Sequence, residues 1–267
     1  MTLLEMIQKE NAAAFTHGGK FHADDVFSAA LLLHFNPKLT IQRGNRVPEE
    51  FAGIVFDIGR GEYDHHQKDS RIRENGAPYA AFGLLWEELG TEILSPKMAE
   101  CFDEKFVQPL DNNDNTGEKN ELAGLIGMFN PVWDDNRGSD AAFFEAVTIA
   151  GRILEHKWER FRADERMEQQ FAELLSAHRE RIAAEEKTET MDEKILVLSE
   201  FFPCQKQLSA TEIAFLVFPS NRGGYCVQPV RKENSSNYKY EFPENWLGLE
   251  NEALQEVTGL AGASFCH

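Results

Sequence analysis

"AAAFTHGGKFHADDVFSAALLLHF", residues 12–35, is the stretch that decides the fold. Its apolar opening before His17 reads as a short buried strand and "GGK" as a loop. "ADDVFSAALLLHF" reads as a helix with Asp24 and Asp25 in its first turn. A strand, a loop and a helix in succession form the building block of a parallel sheet. The pattern recurs downstream. "GIVFDIG" (53–59) is a buried strand ending at Asp57, and a turn at "GRGE" leads into "YDHH" (63–66). "PYAAFGLLWEELG" (78–90) is a helix with Pro78 near its start and Gly90 after it. Ligands of such sheets collect at the carboxyl ends of the strands, where His17 and Asp57 both stand.

The rest of the chain supplies two further textures. "AECFDEKFVQPLDNNDN" (99–115) reads as a helix running into a polar, turn-rich end, with Asp111 and Asp114 on or just past its last turn. "SDAAFFEAVTIAGRILEHKWERF" (139–161) is strongly amphipathic, with Ser139 or Asp140 as its N-cap. From Glu155 to about Lys194, dense mixed charge with sparse apolar positions predicts a long solvated helix bridging two domains. Short strands follow at "KILVLSEFF", "TEIAFLVFP" and "YCVQPV", with "SNRGG" as a hairpin turn. An apolar run before the final "GASFCH" reads as another strand. The expected fold is therefore α/β. A catalytic domain with a mostly parallel sheet covers 1–163, a charged linker helix 164–192, and a smaller α/β domain 193–267.

Composition narrows the function. The 267 residues carry a net charge of −18, which argues against nonspecific binding to long duplex nucleic acid. It does not argue against phosphate chemistry, because carboxylates filled with divalent cations become locally positive. The N-terminal residues carry acidic groups where a secretory leader has positive charge, and no apolar run spans a membrane, so the expected location is cytoplasmic. Cys101, Cys204, Cys226 and Cys266 have no C-x-x-C spacing, which leaves neither a structural zinc site nor a redox pair. "GGK" lacks the spacing of a phosphate-binding P-loop.

The candidate site consists of His17, His22 and Asp24 in the first cluster and Asp57, Asp64, His65 and His66 in the second. Mixed imidazole and carboxylate donors suit transition metals better than calcium or magnesium. Asp24 is expected to coordinate, with Asp25 capping the helix or supporting a ligand. Asp57 emerges from a buried strand and must be paired, hydrogen-bonded or bound to metal. Histidines and aspartates from successive segments that end at one rim match a two-metal centre for phosphoester hydrolysis.

"THGGKFHADD", "FDIG", "YDHH" and "FVQPLDNNDN" resemble, in order and spacing, the signature motifs of the DHH phosphoesterase superfamily. With "KILVLSEFFPC", "YCVQPV" and "PENWLGLENEALQEVTGLAGASFCH", the chain is similar over nearly its whole length to the melanocyte proliferating gene one type, a family also labelled metal-dependent protein hydrolase. The resemblance implies that His17, His22 and Asp57 hold one ion, while Asp24, Asp57, His65 and Asp111 hold a second, Asp57 bridging the two. Asp114 competes with Asp111 for the fourth motif's role. His22 departs from the aspartate found there in many superfamily members and favours transition metals. Manganese is the first expectation, with Mg, Co or Zn as substitutes.

The catalytic roles fall to His66, Asp57 and Asp64. His66 would bond the phosphate or assist the leaving oxygen, and Asp64 would orient a histidine. In DHH enzymes a second domain grips the substrate, for which Arg222, Arg231 and Lys232 are the candidates here. Relatives continue past the "FCH" equivalent into a glycine-containing segment, so the second domain is expected to be trimmed or truncated.

The implied activity is a 3′-5′ exonuclease acting on RNA or short single-stranded oligonucleotides through a two-metal-activated hydroxide. The alternatives are hydrolysis of a small nucleotide or pyrophosphate and a non-catalytic metal-binding scaffold. A zincin H-E-x-x-H is absent, which weighs against the protein-hydrolase label. The bridging helix makes a homodimer an open expectation.

Overall fold

The computed structural model describes residues 1–135, 138–184 and 191–267, which divide into two compact units, Met1–Glu165 and Arg166–His267. The first begins with α1 (Leu3–Ile7), capped by a reciprocal pair in which Thr2 Oγ1 accepts the Glu5 amide and Glu5 accepts that of Thr2. Then come β1 (Ala13–His17), α2 (Ala23–Phe35), β2 (Thr40–Gly44) and the two-residue β3 (Ile54–Val55). The sheet order is β2-β1-β3, and both pairings are parallel. The central strand is the one predicted before His17. β2, at the sheet edge, is a strand that the reading of "AAAF" and "GIVF" did not supply.

The helices α3 (Ala81–Leu89), α4 (Pro96–Phe102), α5 (Gln108–Thr116) and α6 (Glu121–Gly127) follow. One expected boundary moves. Pro78 lies before α3, bridged to Ile72 in an extended segment, because the cap of α3 comes from another helix as described below. Asp114 falls on the last turn of its helix and Asp111 one turn earlier. A π-helical stretch, Asp103–Val107, carries the helix into α5, which ends at Gly117 in the left-handed conformation (φ 74°). Asn115 Nδ2 and Thr116 Oγ1 donate to the carbonyls of Asp111 and Asn112, which satisfies polar side chains inside the helix.

Helix α7 (Asp140–Ala184) is 45 residues long and is less purely a solvated linker than its charge predicts. Phe143, Ala146, Val147, Ala150, Leu154 and Trp158 recur at helical spacing and are buried in the first unit's core, beside Phe27, Phe102 and Phe106. Farther along, Phe171, Leu174 and Leu175 pack on the core of the second unit. Residues 185–190 of the expected linker lie outside the described residues.

The second unit contains β4 (Ile195–Val197), α8 (Gln205–Leu208), β5 (Phe215–Pro219), β6 (Tyr225–Pro229) and α9 (Asn251–Thr258). β4 pairs with β5 in parallel, and β5 with β6 antiparallel through the 220–224 turn. The apolar run before "GASFCH" is not a strand. It is α9, closed by a left-handed Gly259, and Phe265 makes only an isolated bridge to Glu250. Among the described residues, no helix is long and apolar enough to cross a membrane.

Candidate metal centre

The parallel sheet puts the carboxyl ends of β1 and β3 side by side, since Phe15 pairs with Val55, and this delivers His17 and Asp57 to one place. Asp57 adopts φ 54°, in the left-handed region, and its amide donates to the Tyr63 carbonyl at 2.8 Å. Asp is among the few side chains that tolerate this conformation. The turn aims the Asp57 carboxylate back at His17 and brings the "DHH" segment against it.

Three overlapping groups of donor atoms result, joined through Asp57 and His65: His17, Asp25 and Asp57; Asp57, His65 and His66; and Asp24, His65 and Asp114. His17 Nε2 lies 3.2 Å from Asp25 Oδ2 and 3.2 Å from Asp57 Oδ2. Its other nitrogen, Nδ1, donates to the Gly18 carbonyl at 3.1 Å. A neutral imidazole so oriented points a lone pair at two carboxylates, an arrangement that requires a proton or a cation between them. Burial pulls the His17 pKa down, yet the Asp25 and Asp57 carboxylates prevail and push it up to about 10.

On the other side, His65 Nε2 is 3.1 Å from Asp114 Oδ2. His65 Nδ1 and Asp57 Oδ1 are buried 4.0 Å apart, each without a hydrogen-bond partner. Orphaned buried polar atoms are rare in folded proteins, and here a cation between the two would satisfy both. Burial, then the nearby Asp57, Asp114 and Asp111 carboxylates, hold the Asp24 carboxyl well above the usual range. Burial likewise raises that of Asp57 against the pull of His17. So many desolvated acids facing two imidazoles fit divalent cations with mixed nitrogen and oxygen donors.

Each predicted residue has a definite place. Asp24 Oδ2 and Oδ1 accept the amides of Ala81 and Phe82 at 3.0 and 2.7 Å, capping α3, whose own N-cap, Ala80, has no acceptor. Asp25 does cap α2, accepting the His22 amide on Oδ1 at 2.8 Å, but its second oxygen reaches His17. His22 is half exposed, and its Nδ1 stands 3.9 Å from Asp114 Oδ1. His66 stacks on His65 at 4.3 Å, and its Nδ1 lies 2.7 Å from Asp64 Oδ1. Asp64 also accepts the Arg60 and His66 amides. Burial would raise its carboxyl, but these bonds hold it below the usual range.

Asp111 has a different surrounding. Its oxygens accept from Arg73 Nη2 at 2.8 Å and the Gly83 amide at 3.2 Å, and it is absent from the three donor groups, whereas Asp114, one turn later, belongs to one. Arg222, Arg231 and Lys232 are exposed on the turn and strand end of the second unit. The Arg222 amide donates to Ser220 Oγ, and Arg231 leans over the Tyr238 ring.

The donor groups open into a cleft of about 860 Å³. Besides the histidines and aspartates, Lys20 and Arg60 line it, as do Asn113 and Asn115. Neither cation was singled out from the sequence. The signal for Lys20 was its place in the loop after His17. Arg60 gave none, since only its left-handed turn (φ 57°) brings it to the cleft.

The model of the MYG1 exonuclease family, described as an uncharacterised protein family (UPF0160), matches residues 13–267. The MYG1 exonuclease of Rattus norvegicus is 28% identical over 305 residues, covering 94% of this chain and 78% of that protein. The Homo sapiens MYG1 exonuclease is 27% identical over 312 residues, with 94% and 79% covered. The MYG1 protein of Chlamydia trachomatis serovar D is 26% identical over 269 residues, with 94% and 88% covered. No solved structure matches the chain. A family model that spans all but the first twelve residues and takes in every member of the cluster settles the affiliation: the chain belongs to the MYG1 exonuclease family.

Proposed function

We propose that this protein is a metal-dependent phosphodiesterase of DHH type that acts as a 3′-5′ exonuclease on RNA or short single-stranded oligonucleotides. The observation that carries the reading is the set of three donor groups sharing Asp57 and His65 at the floor of an open cleft. The exonuclease name of the mammalian relatives supports it. His17, Asp25 and Asp57 would hold one ion, with His22 close by, and Asp24, Asp57, His65 and Asp114 a second. Asp114 takes the place given above to Asp111, whose carboxylate is committed to Arg73. Divalent cations here, manganese foremost, supply Lewis acidity toward the phosphoryl oxygens and activate water.

The chain's own residues do the remaining work. Asp64 fixes the His66 ring through Nδ1, which turns Nε2 outward to bond a phosphate oxygen or deliver a proton to the leaving oxygen. Lys20 and Arg60 attract the phosphodiester backbone into an otherwise acidic cleft. The net charge of −18 favours a short end over a long duplex. Arg222, Arg231 and Lys232 are proposed as substrate contacts of the second unit.

The test is release of mononucleotides from end-labelled RNA with Mn, Mg or no metal, alongside Asp57→Ala. Metal-dependent release that the variant lacks is the expected result, with polarity read from the label. Metal binding together with hydrolysis of only small nucleotides or pyrophosphate would replace the nuclease reading, and metal binding without any turnover would leave a scaffold.

A further inference from the structure

The segment after α6 is tied to the wall of the cleft at both ends. At its start, the Asn130 side chain accepts the Phe21 amide on Oδ1 at 2.9 Å and donates from Nδ2 to the Phe21 carbonyl at 2.8 Å. Phe21 stands between Lys20 and His22, both of which line the cleft. At its far end, Arg43 Nη1 donates to Ser139 Oγ and Asp140 Oδ1 at 3.1 and 2.8 Å, while Nη2 donates to the Gly19 carbonyl at 3.0 Å. The Arg43 guanidinium lies 4.2 Å over the Phe143 ring and is itself buried. Five bonds, to residues 19 and 21 and to the start of α7, therefore hold both ends of this segment against the loop that carries Lys20 and His22.

Between these anchors, the Asp135 amide donates to the Val132 carbonyl at 2.9 Å and closes a turn with Trp133 at its tip. Trp133 is 96% exposed, whereas Trp86 and Trp158 are buried in the core. A tryptophan ring carries one of the largest apolar surfaces of any side chain, so displaying it fully in water is unfavourable unless something covers it. It lies three positions after Asn130, so the chain keeps the two Cα atoms within about 10 Å of each other. A flat, rigid, sequence-tolerant π-surface this close to the rim is the device by which single-stranded nucleic acid is gripped without reading its sequence. It also suits a strongly acidic protein, because stacking draws affinity from the bases rather than from phosphate neutralisation.

We infer that Trp133 is a stacking platform for a nucleobase of the single-stranded substrate, set beside the metal cleft by the Asn130–Phe21 and Arg43–Gly19 ties. This rests on the nuclease reading above and deepens it. It assigns substrate grip to the first unit, from a residue outside the metal cluster.

The experiment measures binding of fluorescein-labelled, phosphorothioate-linked decathymidylate to the manganese-loaded full chain, as wild type and as Trp133→Ala, Trp133→Phe and Trp133→Leu. An abasic strand of equal length serves as control. Wild type should bind thymidylate roughly tenfold more tightly than Trp133→Ala, within the ~5- to ~150-fold range of one stacked base. Trp133→Phe should recover most of the difference and Trp133→Leu little. The abasic strand should bind wild type and Trp133→Ala alike. Equal thymidylate affinity for wild type and Trp133→Ala would overturn the assignment while leaving the nuclease reading intact. So would a halved mass of Trp133→Ala by light scattering with binding unchanged, since the ring would then cover a second copy of the chain. Wild type that binds neither strand, yet hydrolyses bis(p-nitrophenyl) phosphate with manganese, would remove both the platform and the nucleic-acid substrate.

Discussion

The first unit buries acidic groups in two neighbouring places and neutralises them in opposite ways. Around Asp111, the protein supplies its own cation. Arg73 gives Asp103 two bonds at 2.9 and 2.7 Å and Asp111 one at 2.8 Å, donates to the Pro78 carbonyl, and lies 3.9 Å over the Tyr79 ring. Around Asp57, by contrast, no arginine or lysine among the described residues is paired with the buried carboxylates. Two histidines share them, and polar atoms are left without partners. Asp111 and Asp114 sit one turn apart on α5 and divide between the two. A buried acid matched to a planar guanidinium is complete in itself. One left facing imidazole lone pairs is arranged so that an external cation could complete it.

The largest expected effect breaks the closed side of this contrast. Arg73→Met strands Asp111 in the interior and should cost about 3–5 kcal/mol of stability, read from denaturant unfolding. The loss should deepen with pH. Burial, opposed by Arg73, already pushes the Asp111 carboxyl up to about 7. A folded-state pKa above the unfolded value gives a contribution present below about pH 4 and lost as pH rises through 7, and removing Arg73 moves that upper limit higher. A defect equal at pH 5 and pH 8 would contradict this account.

On the open side, Asp57→Asn should keep the fold, because Asn also accepts the left-handed backbone, yet weaken manganese binding by more than roughly 100-fold in calorimetry. The thermal stabilisation given by the metal should vanish with it. In wild type that gain is about 2.7 kcal/mol at a hundred times Kd. A variant that still holds its full complement of metal would remove Asp57 from the centre.

Comparing Asp114→Asn with Asp111→Asn sharpens the division. The first should lower metal affinity at least about tenfold with little loss of stability, and the second should do the reverse. If both lower affinity equally, Arg73 does not withdraw Asp111 from the metal centre.

The smallest effect lies in the second unit, where charges pair at the surface. Arg179 gives Glu212 two bonds at 2.8 and 3.0 Å, and that contact, against slight burial, lowers the Glu212 carboxyl to about 2. Arg179→Gln should leave stability near neutrality almost unchanged, because the pair is screened by solvent. The depressed pKa makes the contribution full above about pH 4.5 and lost as pH falls toward 2, so acid unfolding should show the difference disappearing over that window.

These contrasts mark how far the sequence could be read. Periodicity located β1 and α2, each of which buries a face that its own residues declare, and apolar runs bounded by turn residues located β4, β5 and β6. It did not place the start of α3, which depends on Asp24, a residue 57 positions earlier that accepts the helix's first amides. Nor did it separate Asp111 from Asp114, because the deciding partner, Arg73, lies in an unremarkable stretch 38 residues upstream. The clustering of His17 with Asp57 was legible from their positions at strand ends. That Asp25 reaches His17 was not, since helix capping already accounted for it. Trp133 gave no signal by composition, as exposure is a property of the folded chain alone.

The backbone at Asp57 has a further consequence for how this position can change over generations. Its left-handed φ of 54° admits glycine, asparagine and aspartate and disfavours nearly every other side chain. The metal-bridging role proposed for it, independently, calls for a carboxylate of short reach. The two filters overlap at a single amino acid. Glutamate satisfies the charge but not the torsion or the length, while asparagine and glycine satisfy the torsion but not the charge. If Asp57 holds the metal as proposed, a lineage that loses this aspartate can keep the turn through asparagine or glycine, but it regains the carboxylate only by returning to aspartate itself.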